Sequence, residues 1–331
     1  MSYQKEKALR DKEVRRIKFI VFLILAGLFL CLSVVSYFIP PNSWQYYFAL
    51  PKIERRKDGE LRIHYLDVDQ ADCTLVEFPD GKTLLIDTGD AHSDSAVLRY
   101  INALKIKTLD YLLITHIDSD HCGGAFEVMK YKGAKQVILP QVKESTSYKT
   151  SYSQFMDIIN EKGVENKVAE CFDQIKSSSE LYPYAFTVLF PNAVEDEEGY
   201  TNNELSTITH LRYGEVDALF CGDTSVDILT KIIREDTMGS FEPKQVKLTD
   251  IELFKVPHHG AKNGVNDIML NYFKTDVAII SCGLDNLYDH PHEETLDYLT
   301  ATNTKIYRTD LQGTIIATIR PDGSYTMSTI R

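Results

Sequence analysis

Basic residues are in short supply in this chain, and so are paired cysteines. Its 331 residues hold 36 Lys and Arg against 48 Asp and Glu, a net charge of −12. Seven cations (Lys5, Lys7, Arg10, Lys12, Arg15, Arg16 and Lys18) crowd into residues 1–18 beside three anions, a local +4; subtracting that from −12 leaves −16 for the rest. So acidic a body counts against a broad nucleic-acid-binding face built on lysine and arginine. Of six cysteines, Cys31 lies in a long apolar run, and Cys73, Cys122, Cys171, Cys221 and Cys282 are odd in number and widely spaced. That excludes a disulfide framework; Cys221 and Cys282 read as small buried hydrophobes, and Cys122, beside a His/Asp cluster, is a minor ligand candidate. Internal repeats and compositional breaks are also lacking from residue 61 onward. An apolar fraction of 44% suits a domain with a real core.

What the chain does have is one long stretch without charge, "FIVFLILAGLFLCLSVVSYFI", Phe19 to Ile39. At ~1.5 Å per residue it can cross a ~30 Å hydrocarbon layer. The cations ahead of it predict a cytoplasmic N-terminus and an extracellular body, and Trp44, Tyr46, Tyr47 and Phe48 stand where an interfacial aromatic belt belongs. The run exceeds a signal peptide's apolar region and no A-x-A-like site follows it. Bulky Leu30 before Cys31 argues against lipoprotein processing. The reading is an uncleaved, single-pass signal anchor in the cell membrane. Residues 1–18 form the basic cytoplasmic tail, 19–39 the transmembrane helix, 40–60 a polar linker and 61–331 the functional domain.

Beyond residue 61, short β-type runs alternate with helical patterns at Ser93–Leu104, Ala125–Tyr131, Ser151–Glu161, Val226–Arg234 and Glu293–Leu299. "CTLVEF" and "TLLIDTG", joined through Asp80-Gly81, read as a hairpin. Hairpins mixed with strand–helix units imply a layered α/β domain, two sheets with helices outside.

Within "YLLITHIDSDHCGGA", residues 111–125, two His and two Asp fall in six positions: His116, Asp118, Asp120 and His121. They follow a buried strand, so they sit on the loop at its end. Imidazole and carboxylate are ligands for divalent metals. Four of them suit two adjacent metals better than one closed structural site; a set of caps and surface residues is the plainer alternative. The placement recurs: Asp87 in "TLLIDTGD", Asp223 in "ALFCGDT", His258 and His259 in "LFKVPHHG", His290 and His292 in "LYDHPHEE", and His92 all lie in loops after strands. His64 and His210 lie inside strands and read as ordinary core or surface histidines.

The stretches "LDVDQADCTLVEFPDGKTLLIDTG", "ITHIDSDHCGG", "LFCGD", "VPHHGAKNG", "YDHPHEETL" and "YRTDLQGTI" together resemble the metallo-β-lactamase superfamily, and within it the ComEC-like branch, over residues 61–331. The resemblance implies an αββα sandwich with a dinuclear site at one edge of the sheets. It assigns His116 and Asp118 to one metal, Asp120, His121 and His259 to the other, and Asp223 to both. Asp87 would orient a ligand imidazole from behind. Asp120 would also hold the attacking water, and His258 and His290 would contact substrate or leaving group. Neighbouring side chains diverge in extended backbone, so His258 and His259 should not share a metal. Two departures from the broad superfamily stand out: Asp118 replaces a usual His, and Asn203 or Ser206 occupies the place of a further His ligand, with His210 a remote substitute. Zinc stays the favoured ion, and the harder ligands at the first metal admit manganese.

Two metals ~3.5 to 4 Å apart can activate water and stabilise the charge that develops in phosphoester displacement. A β-lactam or thioester is possible on fold grounds, but fold alone does not set the substrate. The leading expectation is a membrane-anchored phosphodiesterase or nuclease acting on DNA, with room for a separately encoded channel partner. The alternatives are hydrolysis of a cell-envelope ester such as phosphocholine-decorated teichoic acid, and a non-catalytic metal- or ligand-binding surface module. The sequence leaves the oligomeric state open.

Overall fold

The computed structural model describes residues 2–38, 50–142, 150–191, 199–238, 246 and 248–331. Contacts divide the chain into two compact units, 1–49 and 50–331. In the first, helix α1 (Ser2–Phe38) runs unbroken through both the basic tail and the apolar run. Lys, Arg, Glu, Ala and Leu are strong helix formers, and nothing in that composition stops the helix where the charge ends. Lys12–Val35 is long and apolar enough to cross a membrane, and its large apolar side chains are exposed. Ile39 and the aromatics at 44–48 lie outside the described residues.

Fifteen strands are described in the second unit: β1 (Leu61–Tyr65), β2 (Thr74–Glu77), β3 (Thr83–Ile86), β4 (Leu109–Leu113), β5 (Ala134–Leu139), β6 (Glu165–Val168), β7 (Gln174–Lys176), β8 (Tyr184–Phe190), β9 (Ile208–Tyr213), β10 (Val216–Phe220), β11 (Leu253–Lys255), β12 (Val277–Ile280), β13 (Lys305–Arg308), β14 (Thr314–Ile319) and β15 (Tyr325–Ile330). They form an eight-stranded sheet, β15-β14-β1-β2-β3-β4-β5-β6, and a seven-stranded sheet, β13-β12-β11-β10-β9-β8-β7. Helices α2 (Asp94–Ala103), α3 (Ser119–Cys122), α4 (Ala125–Tyr131), α5 (Thr150–Lys162), α6 (Val226–Thr237), α7 (Asp267–Phe273), α8 (Glu293–Ala301) and α9 (Thr309–Gln312) connect them. The unit begins before residue 61: the Arg62 guanidinium donates to the carbonyls of Glu54 and Arg55, which ties part of the 40–60 segment to the first sheet.

Period-two alternation builds the layers. Ile63, Val76, Leu84, Leu113 and Ile138 of the first sheet share one core with Phe186, Leu211, Ala218, Leu253 and Ile279 of the second. The intervening Leu75, Leu85, Leu112 and Val137 are equally buried on the first sheet's other face, where α2, α4 and α5 supply Val97, Ile101, Met129 and Phe155. Leu219, Phe254 and Ile280 pack outward with Ile228, Ile232, Met269 and Phe273 of α6 and α7. The result is helix, sheet, sheet, helix, as the resemblance implied.

Strands β3 to β6 are mutually parallel, as are β10 to β13. In parallel sheets the loops beyond the carboxyl ends gather on one edge, where ligand sites form.

Candidate metal centre

Each charged residue of the centre leaves such a strand end. Asp87 follows β3, His116 to His121 follow β4, Asp223 follows β10, and His258 and His259 follow β11. Short α3 carries Asp120 and His121, with Asp118 at its N-terminal boundary.

Asp223 stands at the middle. Its Oδ1 lies 3.1 Å from His121 Nε2, and its Oδ2 lies 3.7 Å from His259 Nε2, 3.8 Å from His258 Nε2 and 3.9 Å from His116 Nε2. Asp120 Oδ2 is 3.3 Å from His259 Nε2. Ligand atoms of Asp120, His121, Asp223 and His259 fall within 4.8 Å of one another.

Three buried imidazoles of the centre are held from behind. His121 Nδ1 donates to Asp87 Oδ2 at 2.8 Å, and His259 Nδ1 donates to the Ser281 carbonyl at 3.0 Å. His116 Nδ1 lies 3.2 Å from Thr115 Oγ1 and 3.3 Å from Ser206 Oγ. A ring nitrogen committed to such a partner leaves its Nε2 as the free base that a metal needs. His116, His121 and His259 all have a buried Nε2 with no hydrogen-bonding partner, and Asp223 Oδ1 is in the same position. Buried polar atoms are rarely left in that state. The donor set therefore fits divalent cations, and the cluster is compatible with a dinuclear site.

Charge in the centre is strongly coupled. Burial works against ionisation of Asp223, yet the His121 and His259 imidazoles hold its carboxyl well below the usual range. Burial opposes charge on His121, whereas Asp223 and Asp87 on either side raise it well above an ordinary imidazole, and a cation at Nε2 would take the place of that proton. Burial and the neighbouring His121 push His116 down to about 3. Asp87 is raised by burial, partly offset by His121 and Thr115. It accepts from Thr115 twice, backbone N to Oδ1 and Oγ1 to Oδ2, both at 2.7 Å.

Asp118 stands apart from the four-residue group, half-buried on the wall of an open cleft of about 420 Å³. His258, His290, Tyr288, Asn203 and Gln70 line the same cleft. Ser206 lies behind His116, where its Oγ also accepts from the Asp223 backbone N–H at 3.1 Å, and Asn203 is the one of the pair that faces the cleft. His210 pairs instead with Asp217 at 2.8 Å, on the strand face opposite the Leu211–Ala218 core contacts. Cys122 donates from Sγ to the Ile117 carbonyl, and burial pushes its thiol up to about 11, which suits a packed core residue. His92 is exposed and His64 is buried between Tyr100 and Glu77.

The His258–His259 backbone requires a correction. Both residues are left-handed (φ 50° and 55°) in a 3-10 turn, so the extended-chain argument for their divergence does not apply. The turn brings both Nε2 atoms within 4 Å of Asp223 Oδ2. What distinguishes them is burial: the His258 side chain is 28% exposed and that of His259 2%.

Sequence reasoning missed the residues behind the ligands, Thr115 and Ser281, and a buried ion pair between Lys255 Nζ and Asp72 Oδ2 at 2.9 Å. Asp72 also accepts from Gly89 and donates its backbone N–H to the Asp120 carbonyl. A lone lysine in the apolar strand "LFKVP" was the available signal, because a charge there demands a partner.

The metallo-beta-lactamase superfamily profile matches residues 66–284. ComE operon protein 3 of Bacillus subtilis is 27% identical over 276 residues, covering 78% of this chain and 33% of that protein. Competence protein ComA of Neisseria gonorrhoeae is 24% identical over 270 residues, covering 81% and 34%. The chain thus spans about a third of the length of these curated relatives. A metallo hydrolase structure from Ignicoccus hospitalis aligns at 15% identity and a TM-score of 0.45, over 82% of this chain and 100% of that one. The chain belongs to the metallo-β-lactamase superfamily, as a metal-binding hydrolase related to competence proteins.

Proposed function

We propose that the chain is a membrane-anchored phosphodiesterase that cleaves DNA outside the cytoplasmic membrane. The observation that carries the reading is the convergence of the unpartnered Nε2 atoms of His116, His121 and His259 on the Asp223 carboxylate, beside the cleft that Asp223 and His259 line. His116 and Asp118 would hold one ion, Asp120, His121 and His259 the other, and Asp223 both. Two divalent ions, zinc by preference and manganese as the alternative, supply water activation and stabilisation of phosphoryl charge when bound.

The chain's own groups do the rest. Asp87, Thr115, Ser206 and Ser281 fix the imidazoles in orientation and tautomer. Asp120 would hold the attacking water through its second carboxylate oxygen. Partly exposed His258 would protonate the leaving oxygen from Nε2, and His290, 5.7 Å away ring to ring, would contact substrate. A charge of −16 outside the basic tail supports a second reading, a phosphocholine-bearing envelope ester, whose cationic head the acidic surface would attract.

Metal analysis of the purified protein, then assays on single-stranded DNA, duplex DNA and p-nitrophenyl-phosphorylcholine, tests both. Two ions per chain with DNA degradation is the expected outcome. Release of phosphocholine alone would favour the second reading. Turnover of neither, with any metal, would leave a binding module.

A further inference from the structure

The loop from Gly283 to His290 puts apolar side chains in water. Leu284 is 63% exposed, Leu287 98% and Tyr288 65%. Yet the loop is pinned by Asn286, whose Nδ2 donates to the carbonyls of Gly283 (2.9 Å) and His290 (2.6 Å). Its Oδ1 accepts from the N–H groups of Tyr288 (3.1 Å) and His290 (3.0 Å). Gln70 adds a bond from Nε2 to His290 Nδ1 and accepts from the Gly283 N–H, both across more than 200 residues of chain. A loop held this firmly presents its exposed side chains in one arrangement.

That arrangement is a staircase of rings. His259 and His290 are 6.2 Å apart between centroids and 23° from parallel; His290 and Tyr288 are 5.6 Å apart and again 23° from parallel. The steps run from the buried centre to the solvent-exposed Tyr288 along the cleft wall. Flat parallel rings beside a phosphoester site are the stacking surface that unpaired bases use.

We propose that Tyr288, backed by His290, is the stacking platform for the nucleobase next to the scissile phosphate. This rests on the phosphodiesterase reading above. The platform takes a base that has left the helical stack, so it selects unpaired strands.

The test uses the full-length protein in detergent, loaded with zinc or manganese, and two fluorescent oligonucleotides. One is oligothymidylate; the other is an abasic strand of the same length and phosphate number. Tyr288→Ala should raise KM and Kd for oligothymidylate roughly 5- to 150-fold, the range that base–aromatic stacking spans on alanine substitution. It should leave the abasic strand unchanged, and Tyr288→Trp should restore the preference. Equal binding of the two strands by the unsubstituted protein, or equal loss on both in Tyr288→Ala, overturns the platform. Absence of hydrolysis with a base-dependent Kd that Tyr288→Ala abolishes would sink the phosphodiesterase reading and keep the platform as a nucleic-acid-binding surface.

Discussion

Three imidazoles around Asp223 each have a partner fixed behind Nδ1, whereas the buried Nδ1 of His258 has none. That difference predicts divergent substitutions. His259→Ala should lose metal along with activity. His258→Ala should keep its metal content and fold, with kcat down ~10²- to 10⁴-fold, the usual value of acid–base assistance. Metal analysis and kcat on the two variants decide it, and metal loss confined to His258→Ala would reverse the roles. Asp87 has a left-handed backbone (φ 57°), which asparagine tolerates, so Asp87→Asn should keep it. It weakens the hold on His121 and Thr115, so metal affinity should fall about 10- to 100-fold. Titration against a chelator measures this, and unchanged affinity would reduce Asp87 to a packing role. At this scale the residue types and positions of the centre were legible because they cluster in sequence, four between 116 and 121. The backing groups were not: Thr115 meets Asp87 across 28 residues and Ser281 meets His259 across 22, and neither carries an unusual side chain.

Among the elements, α3 does the most with the least. Its four residues deliver Asp120 and His121 and end against Gly123. A Cβ on Gly123 would stand 2.3 Å from the Ser119 carbonyl oxygen and 2.6 Å from the Ala91 nitrogen, both backbone atoms that cannot swing aside. Gly123→Ala should therefore displace α3, at a cost of about 1–3 kcal/mol from overpacking. The expected results are a lowered melting temperature and less bound metal. Gly199→Ala, where nothing lies within 4 Å, is the control. Equal melting and metal content in the two variants would contradict the steric account. Most strands and helices could be read from periodicity. The turn at His258–Gly260 could not, since its left-handed backbone follows from closure against Gly222, Ser281 and Pro291 rather than from local propensity.

In the whole molecule, the Lys255–Asp72 pair links β11 of the second sheet to the β1–β2 connection of the first across 183 residues. Removing one partner of a buried pair leaves a naked charge, which typically costs about 3–5 kcal/mol. Lys255→Met should lower the denaturant midpoint accordingly, and Lys255→Met with Asp72→Asn should recover much of it. A double variant no better than the single would refute the pairing account. The apolar helix, if it anchors the chain as proposed, gives a further expectation: protease added to intact cells should remove the domain and spare the basic tail. A domain protected until the membrane is opened would refute the outward orientation.

The sequence by itself determined the layered architecture, the apolar span and the sites where chemistry collects. Each is written in a local pattern: alternation of apolar residues, a run without charge, ligand types at strand ends. Tertiary structure alone decided which imidazole nitrogens face inward, which of Asn203 and Ser206 meets the cleft, and that Tyr288, His290 and His259 line up as rings. Most of those outcomes depend on contacts between segments tens to hundreds of residues apart. Such contacts form only when two sheets close on each other, and composition along the chain leaves no trace of them.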